Sequence, residues 1–214
     1  MELSPNSITL PMDLGAKIEV VYEKVVFVGP LAEIVTGTLT ELTDDMLPPD
    51  LTTIRDYLFQ NNELLTTVEL NNITEIGISA FKNCAIESVN MPELTEAGMQ
   101  AFSINPFTSI ELPELVSIGT QMFQGCENLE FADFPKAESI YRGAFNGCAN
   151  LGTLILRNNQ VASLVGTQQL YGTKIESGSG YIYVPDELVD DYKATSGWSI
   201  YANQIRSIDE LEVE

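Results

Sequence analysis

The sequence predicts a solenoid of short parallel strands, stacked turn upon turn. Three observations predict it. Five phenylalanines, Phe59, Phe81, Phe102, Phe123 and Phe145, are separated by 22, 21, 21 and 22 residues. An apolar-x-apolar triplet such as Ile110-Glu111-Leu112 recurs once in each interval. Proline and glycine return at matching places, as in Pro92, Pro113 and Pro135, or Gly77, Gly98 and Gly119.

A self-similar period of roughly 20–29 residues is that of a leucine-rich repeat solenoid. The earliest turn survives as Leu51, Ile54, Leu58-Phe59, Asn62 and Leu64. The next holds Val68, Leu70, Ile73, Ile76-Gly77, Ala80-Phe81 and Cys84. Val89, Met91-Pro92, Leu94, Ala97-Gly98, Ala101-Phe102 and Asn105 follow the same plan. So do Ile118-Gly119, Met122-Phe123, Gly125-Cys126 and Leu129, and then Ala144-Phe145, Gly147-Cys148 and Leu151. Side chains alternate along a strand, so Ile and Leu of a triplet face inward and the residue between them faces out. Proline cannot donate to the next ladder bond and ends the strand. The Ala-Phe stretch is too short for a full helix and predicts a turn of helix or 3₁₀, its ring filling the interior opposite the strand. One turn cannot bury its apolar face alone, so the array stands only as a stack, about six turns high and capped at both ends.

Residues 1–45 lack the repeat. Lys17 to Val28 is valine-rich and alternating, which predicts one long strand or a hairpin arm, broken by Gly29-Pro30. Ile34 to Leu42 is a second strand candidate. The segment reads as an N-terminal cap, or as a small strand module that attaches the array to something else. Repeats occupy 46–157. Residues 158–214 read as a degenerate last turn and a helical C-terminal cap. Within it, Gly178-Ser179-Gly180 makes a turn and Ile182-Tyr183-Val184-Pro185 repeats strand and proline. Asp186 is the expected N-cap of a helix from Glu187 to about Ala194, and Trp198 to Ile205 is a second short helix. Trp198, the only tryptophan, is expected over the last rung, shielding it from water; a ligand-stacking role is the rival reading.

The pattern Leu-Pro, Ile-Gly and Ala-Phe-x-x-Cys resembles the BspA-like leucine-rich repeat family, from about Leu47 to Pro185. The tail from Tyr181 to Val189, with Tyr192-Lys193 and Trp198, is similar to the C-terminal cap of such bacterial and phage proteins. The resemblance implies a surface or adhesion role, often in host-associated bacteria, and carries over no catalytic residues. Departures are Met122 before Phe123, Tyr141 where glycine is usual, and Asn105 in place of cysteine.

At 214 residues the chain is long enough for one well-filled domain. No run of about 18 apolar residues predicts a membrane span. The start, Met1-Glu2-Leu3-Ser4-Pro5, lacks a basic and an apolar leader segment. An extracellular or cell-surface location then requires either that a leader has been removed or another route, such as a phage particle.

Histidine is absent, which removes Ser-His-Asp and Cys-His arrangements and the usual zinc ligands. No glycine-rich phosphate loop is present. The reading is therefore not an enzyme, with no cofactor and no metal site. Cys84, Cys126 and Cys148 each fall three residues after a repeat phenylalanine, where Asn62 and Asn105 also stand. They read as small buried residues of a tight inner turn and as free thiols.

Thirty-one acids against ten bases give a formal charge of −21, which argues against nucleic acid and anionic membranes as partners. Mid-strand residues form an outward column: Glu69, Asn90, Glu111, Asp133 and Ile155. A second column on the same face is Thr67, Ser88, Ser109, Phe131 and Thr153. Neighbours in a column lie about 4.8 Å apart. Two adjacent carboxylates there repel by under about 1 kcal/mol in water. A solvated sheet face explains the columns, and a partner-binding face explains why Phe131 stands among acids. On the second reading Phe131, Glu111 and Asp133 form the centre, with Glu69 and Asn90 beside them. The partner is a protein or glycan of a host or neighbouring cell. Calcium is a further candidate ligand, although no EF-hand or nonapeptide motif appears. The alternative function is a structural part of a phage tail or similar assembly, attached through residues 1–45.

Overall fold

The computed structural model describes residues 39–211 and, before them, the backbone of four strands, Ser7–Thr9, Lys17–Val21, Lys24–Val28 and Glu33–Val35. Lys17–Val21 pairs antiparallel with Lys24–Val28, so the valine-rich stretch is a hairpin. Ser7–Thr9 pairs antiparallel with Glu33–Val35. The expected break at Gly29-Pro30 lies outside the described residues, as does the first segment of the chain.

From Glu41 onward the chain winds as a three-sided solenoid. The first side is a column of parallel strands: Glu41–Thr43, Thr67–Glu69 and Ser88–Asn90 in one sheet. Ser109–Glu111, Phe131–Phe134, Thr153–Leu156, Tyr181–Val184 and Ile205–Ser207 form the next. Register is strict. Ile110 lies beside Ala132, then Leu154, Ile182 and Ile205, and all five side chains are buried. Pro92, Pro113, Pro135 and Pro185 stand just past the strand ends, as their missing N–H requires.

The second side stacks Thr53–Ile54, Glu75–Ile76 and Glu96–Ala97, then Ser117–Ile118, Ser139–Tyr141 and Ser163–Val165. The Ile-Gly motif belongs here. A Cβ on Gly77 would stand 2.4 Å from the Asp56 amide nitrogen, and one on Gly98 would stand 2.6 Å from that of Ile78. Glycine lets successive turns approach at these points.

The third side carries the phenylalanines. Their rings stack face to face at centroid distances of 5.2, 5.7, 5.9 and 5.4 Å from Phe59 to Phe145. Tight i to i−3 bonds are present, as from Gln60 N–H to the Tyr57 carbonyl, but they do not run on into helix. The backbone instead returns to the left-handed region twice per turn, at Tyr57 and Asn61, Ser79 and Asn83, Gln100 and Ile104, and onward. That alternation points every second N–H at the next rung. Phe59 donates to Ala80, Phe81 to Ala101 and Phe123 to Ala144, each at 2.9 Å. The third side is thus a hydrogen-bonded ladder built from turns.

The cysteine position has a shared task. The thiols of Cys84, Cys126 and Cys148 donate to the carbonyls of Phe59, Phe102 and Phe123, at 3.1, 3.3 and 3.0 Å. Asn105 donates to Phe81 at 2.8 Å in the same way. All three cysteines are buried and unpaired by disulfide.

Eight strands stack on the first side among the described residues, two more than the repeat markers predict. Glu41–Thr43 lies beside Thr67–Glu69, in a segment whose triplet lacks the phenylalanine turn before it. Ile205–Ser207 lies beside Tyr181–Val184, where a helix from Trp198 is expected. That helix is reduced to a 3₁₀ turn, Ser199–Tyr201, because Ile205 and Ser207 bury themselves against the open end of the sheet. The cap helix is Val189–Ala194, entered through a 3₁₀ turn at Asp186–Leu188. Asp186 lies inside that turn and Leu188 occupies the N-cap, so no side chain caps the helix. Trp198 is buried against the last rung, as its shielding role requires.

Candidate functional site

The outward columns of the first side carry the candidate residues. Ser109 is in register with Phe131, and Phe131 with Thr153. Glu111 is in register with Asp133, and Asp133 with Ile155. Glu69 and Asn90 are exposed neighbours further toward the N-terminal end. Phe131 is half-buried and Glu111 exposed, so both are available to a partner.

Asp133 is placed differently. It is 4% exposed, and Arg157 lies across it. Arg157 Nη2 donates to Asp133 Oδ2 at 2.6 Å and its Nε donates to both carboxylate oxygens at 3.1 and 3.2 Å. A charge-assisted fork of this kind fixes both side chains. The bond to Asp133 holds the guanidinium above its ordinary pKa against the opposing effect of burial, and the charges of Asp133 and Glu111 add to it. Ile155, next in the column, is fully buried.

Beyond Ile155 the face changes character. Thr153 is in register with Tyr181, Ile155 with Tyr183, and Tyr183 with Arg206. The Tyr181 and Tyr183 rings meet edge to face at 6.2 Å. The Arg206 guanidinium sits 4.8 Å from the Tyr181 ring centroid, and Tyr181 remains 41% exposed. This aromatic and cationic end was legible in one signal, the recurrence of strand and proline at Ile182-Tyr183-Val184-Pro185, which continues both columns. The face is therefore polarised: small and acidic from Thr67 to Glu111, aromatic and arginine-bearing from Phe131 to Arg206.

A cavity of about 740 Å³ lies on the second side. It is floored by Gly77 and Gly98 and bordered by Arg55, Glu75 and Glu96. It contains none of the predicted residues. Among the described residues no group of three or more His, Cys, Asp or Glu side chains is arranged to hold a metal ion. No helix among them is long and apolar enough to cross a membrane.

Comparison with known proteins bears on the fold. A family model described as BspA type leucine-rich repeat region matches residues 38–152 in six copies. The chain is similar to the crystal structure of a leucine-rich repeat protein from Bacteroides ovatus, with a TM-score of 0.50 and 18% identity over 84% of this chain and 56% of that one. It is also similar to a leucine rich cell surface protein from Faecalibacterium prausnitzii, with a TM-score of 0.50 and 18% identity over 85% of this chain and 55% of that one. It spans little more than half the length of either. No curated protein matches the sequence.

Proposed function

Since the chain belongs to the BspA-type leucine-rich repeat family, whose members are generally non-catalytic repeat proteins, we propose that it is a recognition or adhesion module of a bacterial surface. It binds a macromolecule of a host or neighbouring cell through the outer face of the first side. The observation that carries the reading is the placement of Phe131: an aromatic ring half-buried on a rigid strand, between Ser109 and Thr153 and one column from exposed Glu111. Parallel strands hold these side chains at fixed spacing, so a ligand meets a preorganised surface and little order is lost on binding. The surface location is supported by the similarity to a protein described as a cell surface protein.

Flow cytometry of the labelled chain on host epithelial and co-resident bacterial cells tests this. Phe131→Ala and Glu111→Gln should each weaken binding while leaving the melting temperature within about 2 °C of the parent. Asp133 is left intact because its carboxylate is buried. Binding by both variants at the parental level would remove this face as the recognition surface.

A further inference from the structure

We infer that the C-terminal end of this face, Tyr181, Tyr183 and Phe131 with Arg206 and Arg157, is a subsite for a neutral oligosaccharide. This rests on the recognition reading and gives it a ligand class. Three features converge. First, the rings stand on in-register strands and one of them is exposed in part. Tyr181 is 41% exposed, with Arg206 stacked 4.8 Å from its centroid and Tyr183 meeting it edge-on at 6.2 Å. Such a platform suits the apolar C–H face of a pyranose ring, and the tyrosine hydroxyls supply polar ends to meet sugar hydroxyls. Second, the rings lie along the solenoid axis. Phe131 and Tyr181 occupy one column with Thr153 between them, so two platforms stand two strand spacings apart, roughly 10 Å, with a hydroxyl in the gap. That repeat suits a chain of linked sugars.

Third, the charges select against anions. Arg157 is held by Asp133, and Arg206 has Glu210 3.9 Å from its Nε. Arg157 donates Nε and Nη2 to Asp133 and Arg206 donates Nη1 to the Ile205 carbonyl, so each guanidinium is countered in charge and has only its remaining N–H groups for a ligand. The rest of the face is acidic, and the chain carries −21. A uronate or sialate polymer would meet repulsion at the N-terminal end, where a neutral sugar meets none. A protein ligand would be expected to bury an anchor in a desolvated pocket. The cavity of about 740 Å³ is on another side of the solenoid.

The test is an array of neutral and anionic oligosaccharides probed with the intact chain, run beside a panel of host extracellular proteins. The expected result is binding to neutral glycans that changes little with salt. Tyr181→Ala and Tyr183→Ala should weaken it about tenfold each. Tyr181→Phe, which keeps the ring, should retain most of it, and Glu96→Gln, exposed on the second side, should leave it unchanged. Binding confined to anionic glycans would overturn the inference, as would neutral-glycan binding that survives the double alanine variant. Binding of an extracellular protein through Phe131 with no glycan bound would overturn it while leaving the recognition reading in place. Absence of any ligand on both panels would sink both.

Discussion

Trp198 donates its indole N–H to the carbonyl of Ala162 at 2.6 Å, from a fully buried ring. The backbone N–H of Ala162 donates to the Tyr192 hydroxyl at 2.9 Å, and the Tyr192 and Trp198 rings meet edge to face at 5.1 Å. Two cap side chains thus hold both backbone groups of one residue at the last rung of the second side. Replacing Trp198 with Phe leaves a cavity and an unpaired carbonyl, and is expected to cost about 2–4 kcal/mol. Tyr192→Phe, which removes only the acceptor, should cost about 1–2 kcal/mol. Urea denaturation of the two variants checks the order, and the double variant should fall short of the sum.

Ile104 is a branched residue with φ at +57°, in a column otherwise made of Asn61, Asn83, Gly125, Gly147 and Gly172. Its side chain is exposed, so little packing offsets the strain. Ile104→Asn and Ile104→Gly should each raise stability by about 1 kcal/mol, read as a higher melting temperature. A fall in melting temperature for both would show that Ile104 is stabilised by contacts that outweigh its backbone.

Burial pushes the Cys84 thiol up to about 11 from an ordinary value of 9.0. The folded chain keeps this proton at pH values where the unfolded chain has lost it. The contribution is therefore full below pH 9 and is lost as pH rises to about 11, amounting to about 2–3 kcal/mol. Burial raises Tyr192 and Tyr201 as well, and Cys148 is raised through its contact with the Cys126 side chain and through burial. All act in the same direction. Denaturation midpoints should be flat from pH 7 to 9 and fall above it, and Cys84→Asn should soften the fall. Thiol titration of the denatured, unreduced chain should count three.

The fork between Asp133 and Arg157 should be worth about 1–2 kcal/mol, because Asp133 is buried while Arg157 is 43% exposed and partly screened by water. Asp133→Asn should lower the melting temperature measurably. Glu111→Gln, one rung away and exposed, should change stability by less than about 0.5 kcal/mol. Equal effects from the two would place Asp133 with the solvated acids.

What could be read from the sequence follows from which rules are local. The strand triplets and the phenylalanine interval were legible because inward side chains recur with the turn, whatever lies between them. The left-handed pairs of the third side were hidden, since Tyr, Ser, Gln, Asn, Ile and Gly all occupy them and no single residue type marks the place. The Asp133–Arg157 fork joins residues 24 apart, and no spacing rule foretells which carboxylate of a column will be covered. The end rungs were missed because each lacks half of the pattern: Glu41–Thr43 has no preceding phenylalanine turn, and Ile205–Ser207 has no proline after it. Tyr181 and Arg206 were passed over because the two strands that carry them belong to a stretch that reads as a cap.

Hydrogen bonding on three sides also fixes how the molecule carries load. Each rung is tied to its neighbours by short parallel ladders whose bonds lie along the solenoid axis. A pull on the C-terminal end therefore strains the bonds of one rung at a time, beginning at Ile205–Ser207, which has a partner on one edge only. The tether from Trp198 to Ala162 lies behind that rung in the chain and acts as a latch once it has peeled. A solenoid built this way yields in steps under load and keeps its remaining face intact. Force spectroscopy should record release of Ile205–Ser207, then a peak set by the latch, then successive lengthenings of about 75 Å, the extended reach of about 22 residues. Trp198→Phe should lower the latch peak and leave the later ones unchanged.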